Sequence, residues 1–305
     1  MSAATPPVPA ASGVSKAQAF VRRLGSTLGL WALVGLAIGL GKGWPFFGLL
    51  GFLGLVGVRE MIGMDPSLPR PWRYGLMGVS LAWFGVTFSI CQGTGRPWAA
   101  EVDLAFVAGV VLASFLPTLF RPLEGRATLW AIAYSVLAFL YVPWLSSFMT
   151  RLLYMPGVDA DGWLRGLPYL VFLIGATKFT DCGAYVVGSL MGKHKMIPHI
   201  SPGKTWEGML GAGLGSLGAG LGVYFGWRER LPLLTPWSAA GVCLGLAAVC
   251  VVGDLAESVI KRCLEVKDSG SMLPGIGGSL DLIDSLLFTA PVFYFYLSYV
   301  SAAAI

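Results

Sequence analysis

Charge is what this 305-residue chain has least of. Only 12% of its residues are Asp, Glu, Lys or Arg, 55% are hydrophobic, and the mean hydropathy is +0.72. A soluble domain carries about 25% charged residues. Half that share cannot cover a water-exposed surface of this size, so a soluble enzyme is excluded, together with disordered and fibrous chains. Histidine is nearly absent. His194 and His199 are the only two, which excludes a His-rich metal site; five apart in a basic loop, they read as solvated residues rather than ligands. The five cysteines (Cys91, Cys182, Cys243, Cys250 and Cys263) form no C-x-x-C pair and read as small core residues, not a disulfide framework. No segment alternates apolar and polar residues as a barrel strand must, and no repeat of about 20–50 residues is evident. Residues 1–22 are rich in Ala, Pro and Ser and lack a basic stretch followed by an apolar core, so a disordered cytoplasmic tail is expected there rather than a cleaved signal.

What is present is apolar sequence in long runs. Nine stretches stand out, at 26–41, 44–58, 74–92, 102–120, 127–148, 164–180, 207–227, 236–253 and 282–302. Several approach the roughly 20 residues that cross a bilayer as helix. The expected fold is an all-α integral membrane protein, a polytopic bundle of about nine transmembrane helices. Residues 23–160 read as an N-terminal transmembrane region and 161–305 as a C-terminal catalytic one. Only Gly41, Lys42 and Gly43 separate the first two stretches, which therefore make either two tight spans or one re-entrant hairpin. Of the 21 basic residues, 15 fall at the N-terminus and in the connections after the even-numbered spans. This bias puts the N-terminus and the longest polar connections, 178–206 and 254–281, in the cytoplasm, with a bacterial inner membrane as the expected setting. The net charge of +5 bears on topology, and no nucleic-acid partner is expected. The bilayer is the partner that composition requires.

Several motifs compete for a chemical meaning. Gly213, Gly215 and Gly218 match G-x-G-x-x-G, yet they lie inside an apolar span where close helix packing explains them better than a dinucleotide site. Ser201-Pro-Gly-Lys204-Thr205 ends like a P-loop but has Pro198 where the first Gly belongs. The segment still offers a charge, two hydroxyls and the start of a span, an anion site if not an ordinary helix cap. Lys178 and Asp181 stand at the expected end of the sixth span, where ionisable groups are costly. The densest constellation is C-terminal. Six of the 16 acidic residues lie between Asp254 and Asp284. On a helix, Asp254, Glu257, Ser258 and Lys261 share a face, and Asp281 and Asp284 are likewise three apart at the mouth of the last span. A Gly/Pro-rich turn between them would bring like charges together, which a cation must then neutralise. Hard oxygen ligands beside phosphates suit Mg²⁺.

These residues resemble the phosphatidate cytidylyltransferase (CDP-diacylglycerol synthase) family. The likeness runs through Ser258, Lys261, Arg262, Lys267, Asp268, Gly270, Leu273, Pro274, Gly275, Gly277, Gly278, Asp281 and Asp284. Upstream, Asp181, Ala184, Tyr185 and Gly188, then Gly192, Lys193 and His194, and then Ser201 with Lys204 to Gly208 are similar to preceding blocks. Two positions depart: Ile276 stands for the family's His and Leu282 for its Arg.

The resemblance implies that CTP and phosphatidic acid give CDP-diacylglycerol and pyrophosphate with Mg²⁺, a second cation being left open. It implies Asp254 and Asp281 as metal ligands with Asp284 behind them, and Lys261, Arg262 and Lys267 as phosphate clamps. Asp268 would bind metal or orient Lys267. Ser201, Lys204 and Thr205, with Lys178, Asp181, Glu257 and Ser258, would contact substrate. Three alternatives stay open: an inactive or altered-specificity homologue, a CTP-dependent enzyme of an isoprenoid lipid, and a transporter. Small-residue faces in the first, second and seventh spans permit a homodimer.

Overall fold

The computed structural model describes residues 29, 32–40, 42–93, 100–155, 164–270, 272 and 277–303. The expected tail at 1–22 lies outside them. Helices carry almost all of the fold: α1 (Gly43–Met64), α2 (Arg70–Gly93), α3 (Ala100–Phe115), α4 (Arg126–Phe139), α5 (Leu145–Tyr154), α6 (Leu167–Met191), α7 (Trp206–Gly226), α8 (Pro236–Cys263) and α9 (Ser279–Ala303). A π-helical turn at Leu140–Trp144 joins α4 to α5 around Pro143, which has no N–H to give the helix ladder. The Trp83 indole donates to the Pro143 carbonyl at 3.1 Å.

Among the described residues, eight helices are long and apolar enough to cross a membrane. The molecule is an all-α polytopic membrane protein. Of the first apolar stretch, 32–40 is helical, and the rest lies outside the described residues. Large apolar side chains such as Leu104, Leu112, Leu210 and Tyr299 face outward, as a hydrocarbon solvent allows.

Two apolar clusters fill the interior. One gathers Phe148, Tyr169, Phe172, Tyr224 and Phe293; the other gathers Val58, Met61, Trp83, Phe139 and Leu287. Helix α9 contributes to both, through Leu286, Ala290 and Phe293 on one side and Leu280, Ile283 and Leu287 on the other. It is therefore the axis on which the rest is arranged.

Helices α6 and α7 cross closely. A Cβ at Gly183 would run into the Gly211 carbonyl, and one at Gly215 into the Phe179 carbonyl. Small residues thus serve packing here, but through Gly211 and Gly215. Gly218 faces open space, and Gly213 has ordinary room, so the G-x-G-x-x-G spacing itself is incidental.

Two helices run further than the hydropathy suggests. The expected ends near 180 and 253 become Met191 and Cys263. The apolar run stops at Lys178 and Asp254, but the backbone does not, because these charges face protein and each other rather than lipid. A second surprise is a two-stranded hairpin, β1 (Lys195–Ile197) against β2 (Ser201–Thr205). The expected phosphate loop is itself a strand.

Candidate functional site

A cavity of about 430 Å³ opens between α6, β2, α7, α8 and α9, lined by Asp181, Tyr185, Ser201, Lys204, Asp254, Asp281 and Asp284 among others. At 1.5 Å per residue, Asp254 lies about 27 Å along a helix of about 42 Å.

The carboxylates reach it by helix crossing. Gly253 lets α8 approach α9 so closely that a Cβ there would lie 3.2 Å from the Asp284 carbonyl. The result is that Asp254, Glu257 and Asp284 each present an oxygen within 4.8 Å of the others. Glu257 is 1% exposed, and its Oε1 has no hydrogen-bond partner. An orphaned anionic oxygen in a dry place, beside two more carboxylates, calls for a cation or a proton. Hard oxygen donors of this kind fit Mg²⁺.

Lysines supply part of the counter-charge. Lys204 from β2 places Nζ 2.6 Å from Asp254 Oδ2 and donates to the Val251 carbonyl at 3.0 Å. Lys261 bridges Glu257 at 3.1 Å and Asp281 at 2.8 Å. Four carboxylates (Asp254, Glu257, Asp281 and Asp284) therefore meet two ammonium groups, an excess of acid that a cation or a proton would balance.

Asp281 is placed differently from the expected ligand. Its Oδ1 accepts from Lys261 at 2.8 Å, and its Oδ2 accepts from Ser269 Oγ and the Gly278 N–H, both at 2.8 Å. It lines the same cavity, but its oxygens are spoken for. The expectation came from the family resemblance, with which the spacing agrees, and neither reveals that Asp281 sits in the first turn of α9 and accepts the Gly278 N–H. Glu257, expected to contact substrate, stands among the carboxylates instead.

The other candidates divide. Ser201 and Lys204 line the cavity. Thr205 lines it too, but its Oγ1 accepts the Gly208 N–H at 3.1 Å, so the ordinary helix cap is realised. Lys178 and Asp181 sit in the middle of α6, not at its end, with Nζ 3.7 Å from Oδ2, and Cys250 Sγ lies 3.3 Å from Asp181 Oδ1. Ser258 is half-buried on α8, while Arg262, Lys267 and Asp268 are exposed beyond the cavity rim. His194 does not face a metal: its Nδ1 is 2.6 Å from Glu207 Oε1, and Glu207 also accepts the Lys193 and His194 N–H groups, tying the hairpin to α7.

Of the two departures, Ile276 lies outside the described residues. Leu282 packs against the apolar cluster of Leu280 and Ile283. The change at 282 therefore falls on an apolar contact rather than on the cavity wall.

One contributor escaped the sequence. Glu60 of α1 accepts the Ser279 N–H at 2.9 Å and the Leu280 N–H at 2.8 Å. Its only signal is an acid just past an apolar stretch, which reads equally well as an interfacial charge.

Comparison with known proteins identifies the family. The family model described as "Cytidylyltransferase family" matches residues 21–300. The chain is 33% identical over 266 residues to the uncharacterized protein YnbB of Escherichia coli, covering 83% of this chain and 78% of that one. It is 31% identical over 258 residues to a phosphatidate cytidylyltransferase of Bacillus subtilis, covering 83% and 89%. To a phosphatidate cytidylyltransferase of Synechocystis it is 30% identical over 297 residues, covering 87% and 94%. The family-model match over residues 21–300, together with relatives at 30–31% identity over most of both chains, places this protein in the cytidylyltransferase family.

Proposed function

We propose that this protein forms CDP-diacylglycerol and pyrophosphate from CTP and phosphatidic acid, with Mg²⁺. The observation that carries the proposal is the convergence of Asp254, Glu257 and Asp284, two of which line a cavity that Lys204 also lines, with Lys261 bridging Glu257 to the cavity residue Asp281. The substrate pair follows the names of the Bacillus and Synechocystis relatives.

The lipid phosphate is already anionic near neutral pH and needs no activating base. One of its oxygens attacks the α-phosphorus of CTP, and the bond to the β-phosphate oxygen breaks, releasing pyrophosphate. The obstacle is repulsion between two anions, so the protein's task is charge neutralisation and alignment. Asp254, Glu257 and Asp284 would hold Mg²⁺, which when bound supplies neutralising charge to the phosphates. Lys204 and Lys261 supply further positive charge from the protein side, and Ser201 a hydroxyl. Arg262 and Lys267, exposed and outside the cavity lining, would meet the incoming triphosphate. Nucleotide enters from water and acyl chains from lipid, so the cavity would face the cytoplasm at the membrane boundary.

Purified protein incubated with radiolabelled CTP, Mg²⁺ and a panel of lipid acceptors tests this. Label should pass to phosphatidic acid. Transfer to an isoprenoid acceptor instead would replace the lipid assignment, and no transfer to any acceptor would remove the enzyme assignment.

A further inference from the structure

Glu60 stands outside the cavity, on a helix from the other end of the chain, yet it grips the element that carries two cavity carboxylates. An α-helix leaves its first N–H groups without partners. On α9 these are taken by carboxylates from two directions. Asp281 takes the Gly278 N–H, and Glu60 takes those of Ser279 and Leu280, one per oxygen. The surrounding segment is fitted to the Glu60 carboxyl: a Cβ added at Gly270 or at Gly278 would collide with it. Ser279 Oγ also donates to the Leu53 carbonyl at 2.8 Å, a second tie to α1.

The consequence is geometric. Asp281 is one residue beyond the two N–H groups that Glu60 holds, and Asp284 is one turn further. Rotation of the first turn of α9 would carry both away from α8. An anion at a helix N-terminus is favourable in itself, but here it also fixes where the turn starts. We infer that Glu60 is a positioning residue: it anchors the first turn of α9 so that Asp281 and Asp284 meet Lys261, Asp254 and Glu257. The inference rests on the proposed divalent site, and it makes α1 part of the machinery rather than a membrane anchor.

The test uses the full-length protein in detergent with E60Q, E60A and E60D. Mn²⁺ alone, titrated and followed by electron paramagnetic resonance, reads ion affinity without nucleotide or lipid. Hydrogen exchange reads the amides of 278–283, and thermal unfolding reads stability. In E60Q an amide NH₂ faces a backbone donor, so Mn²⁺ affinity should fall about tenfold and exchange at 278–283 should quicken, with the unfolding midpoint little changed. E60D keeps the charge with a shorter reach and should fall between E60Q and wild type. It decides the matter alone if the other two do not fold. Wild-type Mn²⁺ affinity and exchange in these variants would overturn the inference, as would a loss explained wholly by a lower unfolding midpoint. Failure of the wild-type protein to transfer cytidylyl groups would remove the substrate assignment and leave these readouts standing.

Discussion

Lys204 Nζ lies 2.6 Å from Asp254 Oδ2, joining the hairpin to the eighth helix. Both side chains are partly shielded, at 17% and 39% exposure, so the pair is worth more than a surface bridge. A lysine held on a carboxylate beside the cavity can exchange that partner for a phosphate at little reorganisation. Lys204→Met should cut turnover about 100-fold, chiefly in kcat, and Lys204→Arg should recover part of it. Initial rates with varied CTP check this, and unchanged rates in Lys204→Met would remove Lys204 from the reaction.

The proposed divalent site makes ion dependence the next test of the carboxylates. Asp254→Asn, Glu257→Gln and Asp284→Asn should each lower Mg²⁺-dependent turnover about 100-fold, with helicity retained by circular dichroism. Chelation should abolish activity and Mg²⁺ should restore it. Asp281→Asn frees Lys261 and uncaps α9, so it should lower both turnover and the unfolding midpoint. Full activity in Asp254→Asn would remove the ion site.

The glycine faces make opposite predictions at neighbouring positions. Gly211→Val and Gly215→Val force α6 and α7 apart and should destabilise the fold by about 1–3 kcal/mol. Gly213→Ala and Gly218→Ala meet no obstacle and should lie within about 1 kcal/mol of wild type. Thermal unfolding of the four variants distinguishes packing from a nucleotide fingerprint, which would demand Gly213 and Gly218.

The departures from the family pattern should not silence the enzyme. Neither Ile276→His nor Leu282→Arg should be required for turnover. Leu282→Arg puts a charge into an apolar contact and should lower stability by about 1–3 kcal/mol. An inert wild-type protein rescued by either change would reverse this conclusion.

Orientation can be read from a native thiol. Cys263 is exposed at the end of α8 that carries the carboxylates. A membrane-impermeant maleimide should label it in inside-out vesicles and spare it in right-side-out ones. The opposite pattern would place the cavity outside the cytoplasm.

Much of this was legible in order along the chain. The scarcity of charge and the length of the apolar runs suffice for a helical membrane protein, because an unpaired backbone cannot lie in hydrocarbon. The clustering of acids between Asp254 and Asp284 marked the region where carboxylates converge for a related reason: charge is costly at a membrane boundary. Helix ends were less legible. Hydropathy stops α6 near Lys178 and α8 near Asp254, since it scores each residue as if it faced lipid, whereas here the charged residues face a cavity and one another.

The sequence by itself settled the class of fold and the family, since composition and motif spacing are properties of the chain alone. Only the tertiary structure decided which carboxylates meet. Asp284 rather than Asp281 joins Asp254 and Glu257, because Gly253 lets two helices cross at that level and Asp281 is held by Lys261, Ser269 and the Gly278 N–H. Glu60, 219 residues from the amide of Ser279 that it holds, shows the same limit: partners so distant along the chain are set by how helices pack, which no local pattern records.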